Sequence, residues 1–208
     1  MTSTITLRHA VPSDIPQILT LIHALAAYER EPPSTVAATE SSLLRTLFPS
    51  TSSAPSSSTP AVPAYARVLL AFLPSSNPSP APDGSEEPAG IAIYFPNYST
   101  WRAAPGLHLE DLFVRESYRG RGVGTALLSA LARETRGMGG QRLEWSVLKW
   151  NEPSIKFYES LGAENLGVEW QVMRVSDEAL TALAARGPEV EWASAPSSPY
   201  AHTSGRDE

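Results

Sequence analysis

The stretch from Leu109 to Leu131 constrains the fold of this 208-residue chain more than any other segment. It opens inside Leu107–Val114, a segment that is predicted to be a strand. Further on, apolar residues recur at intervals of three and four, which predicts an amphipathic helix. These residues are Val123, Ala126, Leu127, Ala130 and Leu131. A glycine- and arginine-rich segment joins the two patterns, so we expect a strand, a tight loop and a helix in direct succession.

The joining loop has the composition of an anion-binding turn. Glycines lack a Cβ and let the backbone amides approach a ligand closely. The helix that follows adds its unpaired N–H groups and the positive end of its dipole. Arg119 and Arg121 add full positive charges. The loop therefore fits a pyrophosphate group. The simpler alternative is that the glycines only form a tight turn and bind no ligand.

The spacing of the glycines separates this loop from two common phosphate-binding motifs. Glycines at 120, 122 and 124 do not match the G-x-G-x-x-G of dinucleotide-binding folds, which disfavours a nucleotide-dependent dehydrogenase. The P-loop pattern with its Gly-Lys pair is also missing. The pattern R-x-x-G-x-G at the start of a helix instead resembles the acyl-CoA loop of the GCN5-related N-acetyltransferases (GNATs).

A second segment strengthens this resemblance. Trp150–Tyr158, followed by Leu161–Ala163, resembles the W-N-E-P-S-I-x-F-Y segment of the spermidine/spermine N-acetyltransferase branch. Leu109–Val114, Tyr118–Gly120 and Tyr28–Glu29 resemble the same branch. The resemblance extends from about residue 5 to residue 180, and it leaves the substrate open.

The resemblance implies an α/β fold of the GNAT type. We expect a mixed, twisted central sheet of about seven strands, splayed in the middle and flanked by helices. The acyl group would lie in the split between the strands Leu107–Val114 and Gln141–Leu148. One domain would span residues 1–186, with low-complexity insertions at 49–63 and 74–88 and a flexible tail at 187–208.

The remaining elements follow from local patterns. The Pro- and Ser-rich segments bury too little apolar surface to offset the entropy of ordering them. Asn151 is a good N-cap for a short helix that ends near Gly162. Further strands are predicted at Thr4–Arg8, Tyr65–Leu73, Ala89–Phe95 and Gln171–Val175. Further helices are predicted from Ile15 to about Glu29, at Thr39–Phe48 and at Glu178–Ala185.

Composition narrows the possible partners and the compartment. The chain has no cysteine, which excludes disulfides, zinc–thiolate sites and a cysteine nucleophile, and which suits the cytoplasm. The formal net charge of −6 disfavours nucleic acid and is compatible with a cationic substrate. No apolar run is long enough to span a membrane, and no signal peptide is recognisable. We therefore expect a cytoplasmic protein that binds no nucleic acid, membrane or metal.

Acetyl transfer to an amine needs a neutral amine, and only roughly one lysine-like amine in 2,500 is neutral at pH 7. Glu110, which the strand would place at the cleft, is the candidate base. Anchoring of the cationic substrate by the same carboxylate is an equal alternative. Asp111 would point to the other face and is interpreted as structural. The resemblance implies that Tyr158 is the general acid for the departing thiolate, against the alternative of a tyrosine that only closes the core.

The resemblance also implies two sets of binding residues. Acetyl-CoA would be held by the strand amides, the glycine loop and the start of the next helix. This set comprises Leu112, Phe113, Val114, Arg119, Gly120, Arg121, Gly122, Val123, Gly124, Thr125, Asn151, Pro153 and Ser154. The amine would be held by Tyr28, Glu29, Glu110, Glu144, Trp145 and Glu169.

Together these patterns indicate an N-acetyltransferase that moves an acetyl group from acetyl-CoA to a primary amine of a small cationic substrate. Polyamines and diamines come first, lysine-type amino acids such as thialysine second, and proteins third. The rival from another class is a non-catalytic acyl-CoA-binding module. Because the related enzymes are usually dimers, the resemblance also implies a homodimer.

Overall fold

The computed structural model describes residues 4–49, 64–73 and 86–186. The chain divides into two compact units, the first ending at Asn151 and the second beginning at Glu152. The tail at 187–208 and most of the two predicted insertions lie outside the described residues. The last residues of the second insertion are described: the Arg115 side chain binds the Glu87 carboxylate at 2.9 Å and the Pro88 carbonyl at 3.0 Å.

In its described residues, the first unit contains helices and a five-stranded sheet with the strand order β1-β2-β3-β4-β5. The first four strands are antiparallel, and β5 runs parallel to β4. The strands are β1 (Thr6–His9), β2 (Arg67–Phe72), β3 (Gly90–Ser99), β4 (Ala104–Val114) and β5 (Leu143–Trp145). The helices are α1 (Ile15–Tyr28), α2 (Glu40–Leu47) and α3 (Val123–Gly137).

Two hydrophobic layers cover the sheet. One layer joins α1 and α2 to alternate residues of β2, β3 and β4. Its members are Ile15, Ile18, Leu21, Leu47, Val68, Leu70, Phe72, Ile91, Ile93 and Phe113. On the other face α3 contacts β2, β3 and β4. The fully buried Tyr94 marks that face, because its hydroxyl donates to the Glu134 carboxylate of α3 at 2.6 Å.

A β-bulge in β4 separates residues that strict alternation would place together. Leu109 pairs with Tyr94 and Asp111 pairs with Ile93, so Glu110 is an extra residue opposite the step from Ile93 to Tyr94. Leu109 therefore faces α3 with Tyr94, whereas Asp111 faces α1 with Ile93. The bulge thus reverses the side-chain alternation in the second half of β4, so that Asp111 faces α1.

The strand β5 is shorter than its predicted range, Gln141–Leu148. It pairs with β4 only from Leu107 to Leu109, and the extension beyond Trp145 is wrong. After Trp145 the chain becomes exposed and turns, with the Asn151 amide donating to the Leu148 carbonyl at 2.8 Å. Within the described ranges, the edge of β4 from Glu110 to Val114 consequently has no strand beside it. This is the predicted split between the two strands.

The second unit contains α4 (Glu152–Ser160) and α5 (Asp177–Ala184) in its described part. The strand predicted at Gln171–Val175 is wrong, since these residues have no regular structure. Val172 and Met173 are 76% and 82% exposed, and a strand requires a neighbouring backbone that the described residues do not offer them. In the part of the chain that the structure describes, the sheet accordingly has five strands, where about seven were expected. None of the helices in these described parts is long and apolar enough to cross a membrane.

Candidate active site

The glycine loop has the open backbone expected of a ligand-binding turn. Gly120 and Gly122 take positive φ angles of 71° and 84°, a conformation that side chains with a Cβ disfavour. A Cβ at Gly120 would meet no atom within 4 Å, so the space above the backbone is open. The loop therefore presents bare main chain to whatever binds there.

The start of α3 supplies donors for an anion. Gly122 is the N-cap, and the first helical hydrogen bond runs from the Ala126 amide to its carbonyl at 2.9 Å. The amides of Val123, Gly124 and Thr125 thus precede the helix's own hydrogen bonds. Because the Val123 side chain is buried, this residue offers a ligand only its backbone.

The two loop arginines rest on aromatic rings. The guanidinium of Arg121 lies 5.4 Å from the ring centre of Tyr118. That of Arg119 lies 4.6 Å from the ring centre of Tyr28, and its Nε donates to the Val114 carbonyl at 2.9 Å. Arg119 is thus braced between the end of α1 and the end of β4.

The open edge of β4 presents two of the three amides that were predicted to bind the acyl group. The Arg115 amide donates to Ala89 on the β3 side at 3.0 Å. Since donors alternate along a strand, the Phe113 amide also faces β3, and those of Leu112 and Val114 face the open edge. The Phe113 side chain belongs to the core on the α1 side.

Asp111 is a half-buried carboxyl group on the α1 side of the sheet. Burial, followed by the negative charges of Glu110 and Glu29, raises its pKa to about 6. In the described residues no ion pair neutralises this carboxylate. A carboxyl group with a pKa near neutrality is suited to accept a proton from an amine.

Glu110 occupies the bulge and is more exposed, with 58% of its side chain accessible. One of its oxygens lies 3.8 Å from Nε2 of His108. The His108 ring stacks on Phe95, with the ring centres 5.0 Å apart. Glu110 thus stands beside the half-buried Asp111 carboxyl group, with the His108 imidazole close by.

Of the other amine-binding candidates in this unit, Glu29 approaches the same region. It follows Tyr28 at the end of α1, and burial, followed by the charge of Glu31, raises its pKa. Glu144 is committed elsewhere: it accepts from Asn97 at 2.6 Å and pairs with Arg142 at 3.0 Å. Trp145 is half-buried at the end of β5.

Tyr28 and Asn151 meet directly. The Tyr28 hydroxyl donates to Oδ1 of Asn151 at 3.0 Å, and Asn151 is 5% exposed. Tyr28 thus contacts two residues that were predicted to bind the coenzyme, Arg119 and Asn151, whereas it was itself assigned to the amine.

The second unit carries the remaining candidates. The helix α4 begins at Glu152, directly after Asn151, as predicted. Ser154 and Tyr158 are half-buried, and Pro153 is exposed. The Tyr158 ring lies 5.4 Å from that of Phe157 at an angle of 49°. Glu169 is exposed beyond α4.

Comparison with known proteins identifies the family. Residues 50–163, more than half of the chain, match the acetyltransferase (GNAT) family. The chain belongs to the GNAT family. Proteins of this family use acetyl-CoA, and this GNAT is an acetyl-CoA-dependent N-acetyltransferase.

Two curated relatives carry names that specify a substrate. An L-ornithine N5-acetyltransferase of Arabidopsis thaliana is 36% identical over 202 residues, which cover 85% of this GNAT and 86% of the relative. A thialysine N-ε-acetyltransferase of Caenorhabditis elegans is 38% identical over 101 residues, 48% of this chain and 62% of the relative.

A solved structure supports the fold of this GNAT. An integron cassette protein from the mobile metagenome of V. cholerae aligns with a TM-score of 0.64 at 22% identity. The alignment covers 89% of this chain and 99% of that protein. At this identity the likeness concerns the fold alone.

The structure places two residues beside Glu110 that sequence reasoning did not assign to the site of this GNAT. Asp111 was interpreted as structural, because regular alternation pointed it away from Glu110. The acidic pair at 110–111 was the available signal, since two adjacent carboxylates in an apolar strand are unusual. His108 gave no signal, because a single histidine in a strand is commonly packed in the core.

Proposed function

We propose that this GNAT acetylates a terminal primary amine of a small molecule that carries more than one positive charge. The observation that carries the proposal is the position of Asp111, a carboxyl group in the α1 face of the sheet with Glu110 and Glu29 near it. A concentration of negative charge attracts a polycationic substrate and disfavours an acidic one.

The coenzyme side of the proposal rests on β4 and the loop after it. The amides at the start of α3 and the loop arginines would hold the diphosphate of acetyl-CoA. The amides of Leu112 and Val114 would face the acyl group and stabilise the oxyanion of the tetrahedral intermediate. The open backbone at Gly120 supports this arrangement, because a diphosphate needs close approach to the main chain.

The amine side of the proposal assigns the proton to a carboxylate. The amine nitrogen forms a bond to the acetyl carbon, the carbon–sulfur bond breaks, and one proton leaves the nitrogen. Asp111 is our preferred acceptor, directly or through water, because its raised pKa lies nearer neutrality than that of an ordinary carboxyl group. Glu110 and Glu29 would then anchor the charges of the substrate. Tyr158 would return a proton to the departing thiolate.

Two substrate classes have separate support. The carboxylates near Asp111 favour diamines and polyamines, which carry no negative group of their own. The names of the two relatives described above support ornithine-like and thialysine-like amino acids, which carry an α-carboxylate. Both classes share a terminal amine on a short aliphatic chain.

The test is to incubate the protein with acetyl-CoA and follow release of free thiol with putrescine, spermidine, ornithine, thialysine and lysine as separate substrates. We expect kcat/KM for at least one of these amines to exceed that for a monoamine such as benzylamine, which carries a single positive charge, by 100-fold or more. Coenzyme binding without turnover on any amine would instead support the acyl-CoA-binding module and contradict the proposal.

A further inference from the structure

Tyr28 lies at a junction of the first unit. Its ring is covered by the guanidinium of Arg119, with the carbon atom Cζ 4.6 Å from the ring centre. Its hydroxyl donates to Oδ1 of the buried Asn151 at 3.0 Å. One side chain therefore contacts the loop before α3 and the residue before α4 at the same time.

Neighbouring contacts strengthen this junction. Arg119 cannot swing freely, because its Nε also donates to the Val114 carbonyl at 2.9 Å. On the other side, the guanidinium of Arg30 lies 4.2 Å from the ring centre of Trp150, next to Asn151. The end of α1 is thus attached to the loop before α3 through Arg119 and to the end of the first unit through Trp150 and Asn151.

We infer that Tyr28 is a positioning residue for the coenzyme and acts through Arg119 and Asn151. This inference rests on the proposed function and replaces the sequence-based assignment of Tyr28 to the amine. Its hydroxyl proton is committed to Asn151 and one ring face to Arg119, so both of these contacts run to residues that were assigned to the coenzyme. The adjacent Glu29 remains directed to the amine region.

The role predicts separable effects for two substitutions. Tyr28→Phe keeps the ring beneath Arg119 and removes the hydrogen bond to Asn151, so we expect the Kd for coenzyme A to rise about 2- to 10-fold. Tyr28→Leu also removes the ring, and a further rise of about 2- to 5-fold is expected. In both variants the KM for the amine should stay within about 2-fold of the wild-type value.

Double-mutant cycles test whether Tyr28 acts through its two partners. Coenzyme A binding is measured by calorimetry for Tyr28→Phe, Asn151→Ala and their combination, and for Tyr28→Leu, Arg119→Gln and their combination. We expect the effect of each Tyr28 substitution to shrink to less than about 1.5-fold when the partner is already replaced. Tyr98→Phe, at an exposed tyrosine of β3, is the matched control and should change nothing.

The outcomes separate this inference from the proposed function. A wild-type protein that acetylates no amine would contradict the proposed function before any variant is made. With an active wild type, additive effects in both cycles would overturn the positioning role. A rise in the amine KM with an unchanged coenzyme Kd would overturn it too, and would return Tyr28 to the amine site. Should Tyr28→Leu fail to fold, the cycle of Tyr28→Phe with Asn151→Ala decides alone.

Discussion

Asp111 on β4 and Glu29 at the end of α1 interact through their charges, although they are 82 positions apart in the sequence. Burial is the larger cause of the raised Asp111 pKa, and Glu110 and Glu29 add to it. The end of a helix and the bulge of a strand thereby create one acidic region. The chemistry that we propose depends on this region more than on any single carboxylate.

The pH dependence of turnover should report Asp111. Because a base must be unprotonated to act, kcat/KM should fall roughly tenfold per pH unit as the pH drops below about 6. Asp111→Asn should lower kcat by about 10²- to 10⁴-fold and abolish this acidic limb. The check is a pH–rate profile from 5 to 9. A limb that persists in the variant would assign the proton to another group, with Glu110→Gln as the next variant to measure.

Asp111 should also destabilise the folded protein above its pKa. Its folded pKa, about 6, exceeds the ordinary value of 3.8, so the folded state binds the proton more tightly than the unfolded state does. Stability therefore falls as the pH rises from about 4 to about 6. Asp111→Asn should raise the free energy of unfolding by about 1–3 kcal/mol at pH 8 and by almost nothing at pH 4. Urea unfolding at both pH values measures this, with Glu164→Gln as an exposed control.

Asp14 should show the opposite dependence. Its pKa is lowered mainly by the hydrogen bonds from Arg8, whose two terminal nitrogens lie 2.7 and 2.8 Å from the carboxylate. The pair therefore stabilises the fold above the ordinary carboxyl range, and the contribution is lost as the pH falls through the lowered value. Asp14→Asn should cost about 2 kcal/mol at pH 7 and less at pH 3. Equal losses at both pH values would disprove the ionic contribution.

Gly122 should be needed for its backbone conformation. At φ 84°, an alanine would strain the N-cap of α3 by about 1 kcal/mol. We expect Gly122→Ala to lower coenzyme affinity by about 5- to 10-fold. Gly137 is a matched control in the same helix, because it has no positive φ and its Cβ would meet no atom within 4 Å. Gly137→Ala should leave coenzyme binding unchanged, and similar losses in the two variants would contradict the assigned role of the loop.

Tyr158 should affect turnover without affecting the coenzyme. If its hydroxyl protonates the thiolate, Tyr158→Phe should reduce kcat by about 10²-fold or more and leave the Kd for acetyl-CoA within about 2-fold. Tyr65→Phe, at a tyrosine that is 68% exposed, provides the control. Unchanged turnover in Tyr158→Phe would remove this residue from the mechanism.

Local sequence patterns predicted most of the first unit. The apolar run inside Tyr65–Leu73 and the helical spacing after Val123 are each contained in one continuous stretch of sequence, so they are readable in short windows. The glycine loop was predictable for the same reason. The strand at Gln171–Val175 was not, because apolar residues become a strand only where another backbone pairs with them.

The acidic region was only half predictable. The sequence identified Glu29 and Glu110. A period of two residues in the strand does not reveal a bulge, and the bulge determines which face of the sheet Asp111 lies on. The bonds of Glu144 to Asn97 and Arg142 also depend on tertiary structure. An acidic residue that is already paired and one that is left unpaired look identical in a sequence.

The extra residue in β4 leaves position 110 unusually unconstrained. The other residues of that strand pair with β3 and present their side chains to one layer or the other. Position 110 has no partner on β3, so its side chain could be replaced without changing the face on which its neighbours lie. An engineer who wishes to retune this enzyme toward a different amine should therefore begin there, since the packing on either side places few demands on what is chosen.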